Sequence, residues 1–504
     1  MSHAPGGLRA RFILTAVLVA TGASGARARA DDASGRELRL ADVIAVAVRQ
    51  SPDLARARLD VEAARAQLTR AEGSEDTHLG IAGQADILRA GATDPTPDHD
   101  IATAAVSVSR ALSTGGTLSA SATGLYEKQA VVVRNDAGAL VPADIKLFSA
   151  GATLRLIQPI LRGAGSAAFE APIRQAEHQR DAAALTAESR ARDVVVSLAQ
   201  AYWQVAFAWR QLEVRKASLD LAEQQRAYTE GAIRTEKVPR SELLAVQAAI
   251  ATRKQDVIAS EQDLYERSLA LRQQAGLEIG PEAIAVRTEA LPTKIDASDR
   301  ALDAVLRGAF AHSAELAAAA ASRHAAEVAA SAADNAALPR LDLDVSGGPV
   351  GVNDTATGAL SSLINHPGLQ LLASLSGDRA VERRIERGGQ AAARAALLTA
   401  RTAERDAQAR LAVRVTRAVQ RARAAAASVA LGDQAIDLAV QNVAAEQKRF
   451  ELGKTTNFEV LRRQDELEQA RLRQASSVAD YLAARAELDG LDGAILARYH
   501  ITMP

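Results

Sequence analysis

The chain contains no cysteine, two methionines, two tryptophans and only 3% aromatic residues. Without cysteine there is no disulfide scaffold, no thiolate metal site and no N-terminal cysteine to carry a lipid. Two methionines and no cysteine also argue against a relay of soft metal ions. A thick globular core needs larger side chains than this composition supplies. Alanine and arginine dominate long stretches instead, which suits slender helices packed close together. The net charge of −1 leaves no basic footprint for nucleic acid. Beyond residue 30 there is no run of about 18 uninterrupted apolar residues, so no later segment reads as a membrane-spanning helix. Catalytic signatures are missing too: there is no HExxH, P-loop or nucleophile elbow. The eight histidines are scattered, and His312 and His324 fall in Ala-rich helix, where a surface or packing role is expected. No catalytic, cofactor-binding or metal-ligating set is expected.

What is present is order. At 48% hydrophobic and 24% charged, the chain is not compositionally disordered. Residues 1–30 read as a secretory signal: Arg9 and Arg11, the apolar run Phe12 to Ala20, and a cleavage site at Ala28-Arg29-Ala30. Removing them takes the net charge from −1 to −5, because four arginines and no acid are lost.

From Leu40 to about Ala71 the periodicity is helical, with Leu40, Val43, Ala47 and Val48 on one face and a restart at Ser51-Pro52. Residues 77–158 change to period two. Ala102, Ala104, Val106 and Val108 alternate with Thr103, Ser107 and Ser109, and similar runs follow at 117–123 and 152–156. Gly115-Gly116 is a turn. Loops at 89–100 and 127–147 hold Pro, Asp and Asn, and Tyr126 and Phe148 flank the second loop where an aromatic girdle would stand. From about Ala167 to Glu230 the helical period returns, with Leu198, Tyr202, Val205, Leu212 and Leu219 on one stripe. Gly231 is expected at the tip of a hairpin, whose second arm starts near Pro239 and reaches about Gly276. A Pro- and Gly-rich connector follows, with Gly280-Pro281 and Leu291-Pro292.

The design then repeats. Ser313-Ala314-Glu315-Leu316 falls where Ser51-Pro52-Asp53-Leu54 fell. Strands are expected at 341–346 and 369–375, then a proline-free helix from Asp378 to Phe450. Gly453 suits the left-handed end of a helix, and Thr456 with Glu459 reads as a capping box for the next. Phe458, Leu461, Leu467, Ala470, Val478, Tyr481 and Leu488 form the expected buried stripe. Tyr228 and Gly231 align with Phe450 and Gly453, and Leu244 with Leu461 if the first tip carries about five extra residues. The expected organisation is a signal at 1–30, a first repeat at 31–280, a connector at 281–300 and a second repeat at 301–504.

Four to six strands cannot close a membrane barrel, which needs about eight. Open edges in a bilayer would leave backbone groups unpaired at several kcal/mol each. Several copies must therefore pool their strands, and helices of about 65–75 residues, too long for a compact domain, suit the wall of a tube. Fold class is mainly α with a β-barrel part.

Three segments carry a resemblance: LADVIAVAVRQSPDLARARLDVEAA from Leu40, LRLIQPILRGAGSAAFEAPIRQA from Leu154 and EQKRFELGKTTNFEVL from Glu446. The chain resembles the TolC-type outer-membrane efflux proteins over nearly all its length after the signal. The resemblance implies a homotrimer in the outer membrane of a Gram-negative bacterium, in contact with outer-membrane lipid. It further implies a β-barrel standing on an α-helical periplasmic tunnel, and export with an inner-membrane pump through a periplasmic membrane-fusion adaptor.

By the same resemblance, adaptor contacts fall at Gly231 and Ala232 in the first repeat and at Gly453, Lys454 and Thr455 in the second. The glycines serve equally as plain helix caps. Glu459 matches an acidic position of the family's periplasmic entrance. Arg462 departs from the other, and is free to pair with Glu459 or Asp465. The family norm is two barrel strands per repeat, and the first repeat here offers two additional runs around Gly115-Gly116. These are open to three placements: above the membrane, within a wider barrel, or in a side hairpin. A periplasmic coiled-coil adaptor or scaffold is the alternative reading, but it leaves two strand blocks at matching points of a repeat without a use. A cytosolic structural coiled coil is opposed by Arg9–Ala30.

Overall fold

The computed structural model describes residues 37–89, 98–134, 138, 140–277, 285–296, 300–499 and 501. The Arg9–Ala30 leader, the Gly280-Pro281 turn and parts of the expected 89–100 and 127–147 loops lie outside the described residues, and most of the second expected loop, 127–134 and 140–147, is paired strand instead.

In chain order the elements are α1 (Leu40–Gln50), α2 (Pro52–Glu72), β1 (Thr77–Leu88), β2 (His99–Ala111), β3 (Thr117–Arg134), β4 (Leu140–Pro159), α3 (Ser166–Phe169), α4 (Ala171–Arg234) and α5 (Ser241–Ala275). The second half follows with α6 (Leu302–His312), α7 (Ala314–Ala336), β5 (Arg340–Asn353), α8 (Ala356–Asn365), β6 (Gly368–Asp378), α9 (Arg384–Glu451), α10 (Asn457–Leu491) and α11 (Ala494–Arg498). The repeat is visible in its small parts. Pro52 opens α2 and the Ser313 hydroxyl accepts from Leu316 N at 3.2 Å to cap α7, whereas Ser51 makes no such side-chain bond.

The strands form one antiparallel sheet in the order β1-β2-β3-β4-β5-β6. The runs around Gly115-Gly116 are full members of it. They are β2 and β3, paired from His99–Gln129 to Ala111–Thr117 and joined by a tight turn in which Gly115 N donates to Leu112 O at 2.8 Å. Among the described residues the sheet is open, with β1 and β6 as its edges. Pleating sorts the side chains, because residues directly opposite across strands share a face. By this register Ile81, Val106, Leu154, Val345 and Leu371 share one face. Ser107, Ser121, Thr153, Arg155 and Asp344 share the other, where Arg155 Nε donates to Asp344 Oδ1 at 2.9 Å. Along β2 the valines are exposed and the serines half-buried. The sheet thus curls with its polar side inward and its apolar side out. Tyr126 and Phe148 are cross-strand partners near the top of the apolar side, with ring centroids 4.9 Å apart.

All four junctions with the helices, at Thr77, Pro159, Arg340 and Asp378, are at one end of the sheet. Helices α4 and α9 have 64 and 68 residues, on the order of 100 Å at 1.5 Å per residue. Each is matched by two shorter helices: α2 and α5 pack on α4, and α7 and α10 pack on α9. The largest core cluster lies midway, where Tyr202, Leu198, Val205 and Leu271 are sealed beneath α1 and the segment 285–289. Tyr202 Oη donates to Leu38 O at 2.8 Å and accepts from Glu289 N at 2.9 Å, and Trp209 Nε1 donates to Val286 O at 2.8 Å. These bonds tie the crossing segment between the repeats to the long helix. Among the described residues, no helix is long and apolar enough to cross a membrane.

Candidate functional site at the helical tips

Both hairpins turn by the same backbone device. After α9, Gly453 N donates to Phe450 O and Lys454 N to Arg449 O, each at 2.9 Å, with Gly453 at φ 67°. This is a paired C-terminal cap of the Schellman type, which needs a left-handed residue. After α4, Glu236 N donates to Ile233 O and Lys237 N to Ala232 O, each at 3.0 Å, and the left-handed residue is Glu236 at φ 53°. Glu236, not Gly231, is therefore the counterpart of Gly453. Gly231 and Ala232 lie in the last turn of α4, which runs on to Arg234. The first tip spans 235–240 and the second 452–456, a difference of one residue rather than five. Leu244 and Leu461 still align, each eight residues after the left-handed residue, but Leu244 is 68% exposed and Leu461 is buried. Tyr228 and Phe450 nevertheless meet, with centroids 5.7 Å apart.

The start of α10 also differs from expectation. Thr456 has N-cap geometry but makes no side-chain cap, so the Thr456–Glu459 box does not form. Instead Asn457 N donates to Glu242 Oε2 on the other hairpin at 3.0 Å. Phe458, expected in the stripe, is 65% exposed, and Asn457 takes the inner position at 0%. The rest of the stripe is buried as expected: Leu461, Leu467, Ala470, Val478, Tyr481 and Leu488.

Helix α10 packs against both α4 and α5, and polar side chains fasten it there in three tiers. Nearest the tip, Gln225 Nε2 donates to Asn457 Oδ1 at 2.6 Å and Thr229 Oγ1 donates to the same oxygen at 3.1 Å. All three side chains are fully buried. One step up, Arg253 donates to Ser218 O at 3.0 Å, Gln464 Oε1 at 3.1 Å and Asp465 Oδ1 at 2.7 Å. Above that, Arg215 joins Asp256 at 3.0 Å and the buried Glu468. Ala222, Val246, Ile250 and Leu461 fill the space between the tiers. Buried polar groups are stable only when partnered, and removing one partner strands the other. The two hairpins are thus latched together just above their tips.

Of the entrance pair, Arg462 reaches Glu459 at 3.8 Å and Glu466 at 3.6 Å, while Asp465 is engaged by Arg253. Pairs as exposed as these are worth under about 1 kcal/mol. The turn carries one titratable contact. The Thr455 hydroxyl bonds the Glu446 carboxylate and holds it below the usual glutamate range, helped by Arg449 at 3.5 Å. A carboxyl depressed in the folded state contributes stability above its unfolded value and loses it as pH falls through the folded one. The tip should loosen below about pH 4. A fluorophore on Lys454→Cys, the sole cysteine of that variant, should report the transition, and Thr455→Val should move its midpoint upward. An unmoved midpoint would disprove the Thr455 contact.

Among the described residues no three metal-ligating side chains converge. The latch residues Gln225, Thr229, Glu242, Arg253, Asn457 and Gln464 escape a purely apolar reading of the stripe. Their signal was polar residues at helical spacing in it: Asn457, Gln464 and Glu468.

An open sheet with one apolar face, standing on two hairpins about 100 Å long, has the fold of TolC-type outer-membrane channels. No protein-family model matches the sequence, and no curated protein does. Solved structures do match. The chain is similar to the outer membrane protein VceC of Vibrio cholerae, at 16% identity over 90% of this chain and 96% of that one, with a TM-score of 0.65. It is similar to the CmeC outer membrane channel of Campylobacter jejuni, at 12% identity over 90% and 85%, TM-score 0.63. It is also similar to the MtrE outer membrane channel of Neisseria gonorrhoeae, at 15% identity over 91% and 89%, TM-score 0.58.

Proposed function

We propose that this chain is one subunit of an outer-membrane export channel, a passive duct with no chemistry of its own. One observation carries this reading. A six-stranded sheet with an apolar outer face has both edges free, and the same chain supplies hairpins long enough to line a tunnel below it. Free edges are intolerable in a bilayer, so copies must join edge to edge. Three copies give eighteen strands, the size at which barrels enclose a water-filled passage. The polar inner face with Arg155, Asp344, Ser107 and Thr153 then lines the passage, and the helical part stands in the periplasm. Extraction from outer membranes as a trimer that conducts ions in planar bilayers tests this. A water-soluble monomer with no conductance overturns it.

The tips are the place for a periplasmic adaptor that couples the duct to an inner-membrane pump, in efflux or in type I secretion. Leu452 and Phe458 are 68% and 65% exposed beside Lys454 and Gly453, an apolar patch at the far end of the molecule. A side chain at Gly453 would point into open space. Gly453→Trp should therefore leave the trimer intact and abolish adaptor capture. Gly453→Ala should retain most of it, since it adds only the left-handed strain of about 1–2 kcal/mol. Normal export by Gly453→Trp would refute the assignment of the tip.

A further inference from the structure

Helix α8, between β5 and β6, lies outside the wall. On the outward column of β5, Leu343, Val345, Pro349 and Asn353 are exposed, whereas Gly351 is buried. A side chain on Gly351 would meet Leu363 N at 2.2 Å and Ala359 O at 2.3 Å. So α8 presses Ala359 onto Gly351, on the apolar face of the sheet. It packs chiefly on β4 and β5, inside the edge strands β1 and β6 at which copies must join. Its own outer stripe is apolar and bare, with Leu360 at 53% and Ile364 at 71% exposed.

Between α8 and the wall is a cleft of about 330 Å³, lined by Ala102, Ala104, Gly124, Tyr126, Phe148 and Ala359, among others. Most of this lining is apolar and small, so water would find few partners there. The cleft opens beside the Tyr126–Phe148 pair, whose rings suit the boundary between hydrocarbon and headgroups. One step above that pair on the same face stand Lys128 and Lys146, directly opposite each other across β3 and β4. Lys128 is 2.9 Å from Asp144, and Lys146 is exposed. Lysine binds phosphate as a point charge.

We propose that the cleft holds one acyl chain of a phosphorylated outer-leaflet lipid, whose phosphate lies at Lys128 and Lys146. Leu360 and Ile364 then face the surrounding lipid, and α8 lies in the outer boundary of the membrane as a clamp over the bound chain. The occupant follows from continuity: the cleft is a recess in the same apolar surface that the bilayer covers. This inference rests on the outer-membrane reading of the sheet.

Native mass spectrometry of the trimer, extracted from outer membranes in a lipid-retaining polymer, tests it. The unaltered protein should keep about one phosphorylated lipid per subunit. Ala104→Trp, which fills the cleft, should lower that retention about tenfold, as expected when roughly two buried methylenes lose their site. Lys128→Gln with Lys146→Gln should lower it similarly, and carries the test if Ala104→Trp fails to assemble. In vesicles containing brominated phosphatidylcholine, a bimane on Ile364→Cys should be strongly quenched. Equal lipid on all variants, no lipid on the unaltered trimer, or a disulfide joining Ile364→Cys of two copies overturns the proposal. A chain that never reaches the outer membrane overturns the channel reading as well, whereas a conducting trimer with an empty cleft overturns this proposal alone.

Discussion

Asn457→Ala should unlatch the two hairpins at the mouth. The substitution removes the acceptor of the buried Gln225 amide, whereas the Thr229 hydroxyl still donates to Gln225 O at 2.8 Å. A stranded buried polar group costs about 1–3 kcal/mol. One such group, less the relaxation open to a mouth near solvent, gives a local loss of about 1–2 kcal/mol. Nothing of the kind applies to the midsection, where Tyr202 and its neighbours are untouched. Hydrogen exchange should therefore speed up about 5- to 30-fold over 222–232 and 457–464, the range that energy implies, and stay unchanged around 195–205. The conductance of reconstituted trimers should rise. Leucine at 457 is the informative control, because it fills the volume and still leaves the Gln225 amide unpaired. If both variants exchange like the parent protein, the tier does not hold the mouth.

Deleting residues 99–134 should yield a narrower channel that still assembles. This segment contains β2 and β3, an up-and-down pair that begins and ends at the same end of the sheet. Its removal leaves β1 antiparallel to β4, so topology is preserved and each chain supplies four strands. Barrel diameter grows roughly linearly with strand number. The trimer should lose about one third of its width and, with the cross-section falling as the square, about half of its conductance. Unchanged conductance would place the constriction in the helical tunnel alone. Failure to insert would show that β2 and β3 are needed for register as well as for width.

Much of this architecture is legible in the sequence because it rests on strict periodicity. The alternation at 102–109, broken only at Ala105, and at 117–123 marks β2 and β3 with their apolar faces. The stripe from Leu198 to Leu212 likewise gives α4 its buried side. The tips were harder for a physical reason. Glycine is the usual left-handed cap, so Gly231 attracts the assignment, yet Glu236 takes that conformation and the helix runs on for another turn. Thr456 and Glu459 have the spacing of a capping box, but Glu242, 215 residues away in sequence, takes the backbone amide of Asn457 instead. Local signals cannot anticipate a partner supplied by the other repeat. Helix α8 leaves no clear mark in the sequence, since ten residues between two strands are too few to set up a helical period.

The latch also sets an order of events while the chain matures. Gln225, Thr229 and Arg253 belong to the first hairpin, but their partners Asn457, Gln464 and Asp465 lie more than 200 residues downstream. Contacts so distant in sequence close slowly, because a long loop must be restrained before they are rewarded. A chain delivered N-terminus first therefore holds an unfinished first arm, with a buried-to-be arginine still in water, until the final tenth of its length arrives. Holding factors that bind extended chains have their window in that interval, and truncation near residue 456 should trap it.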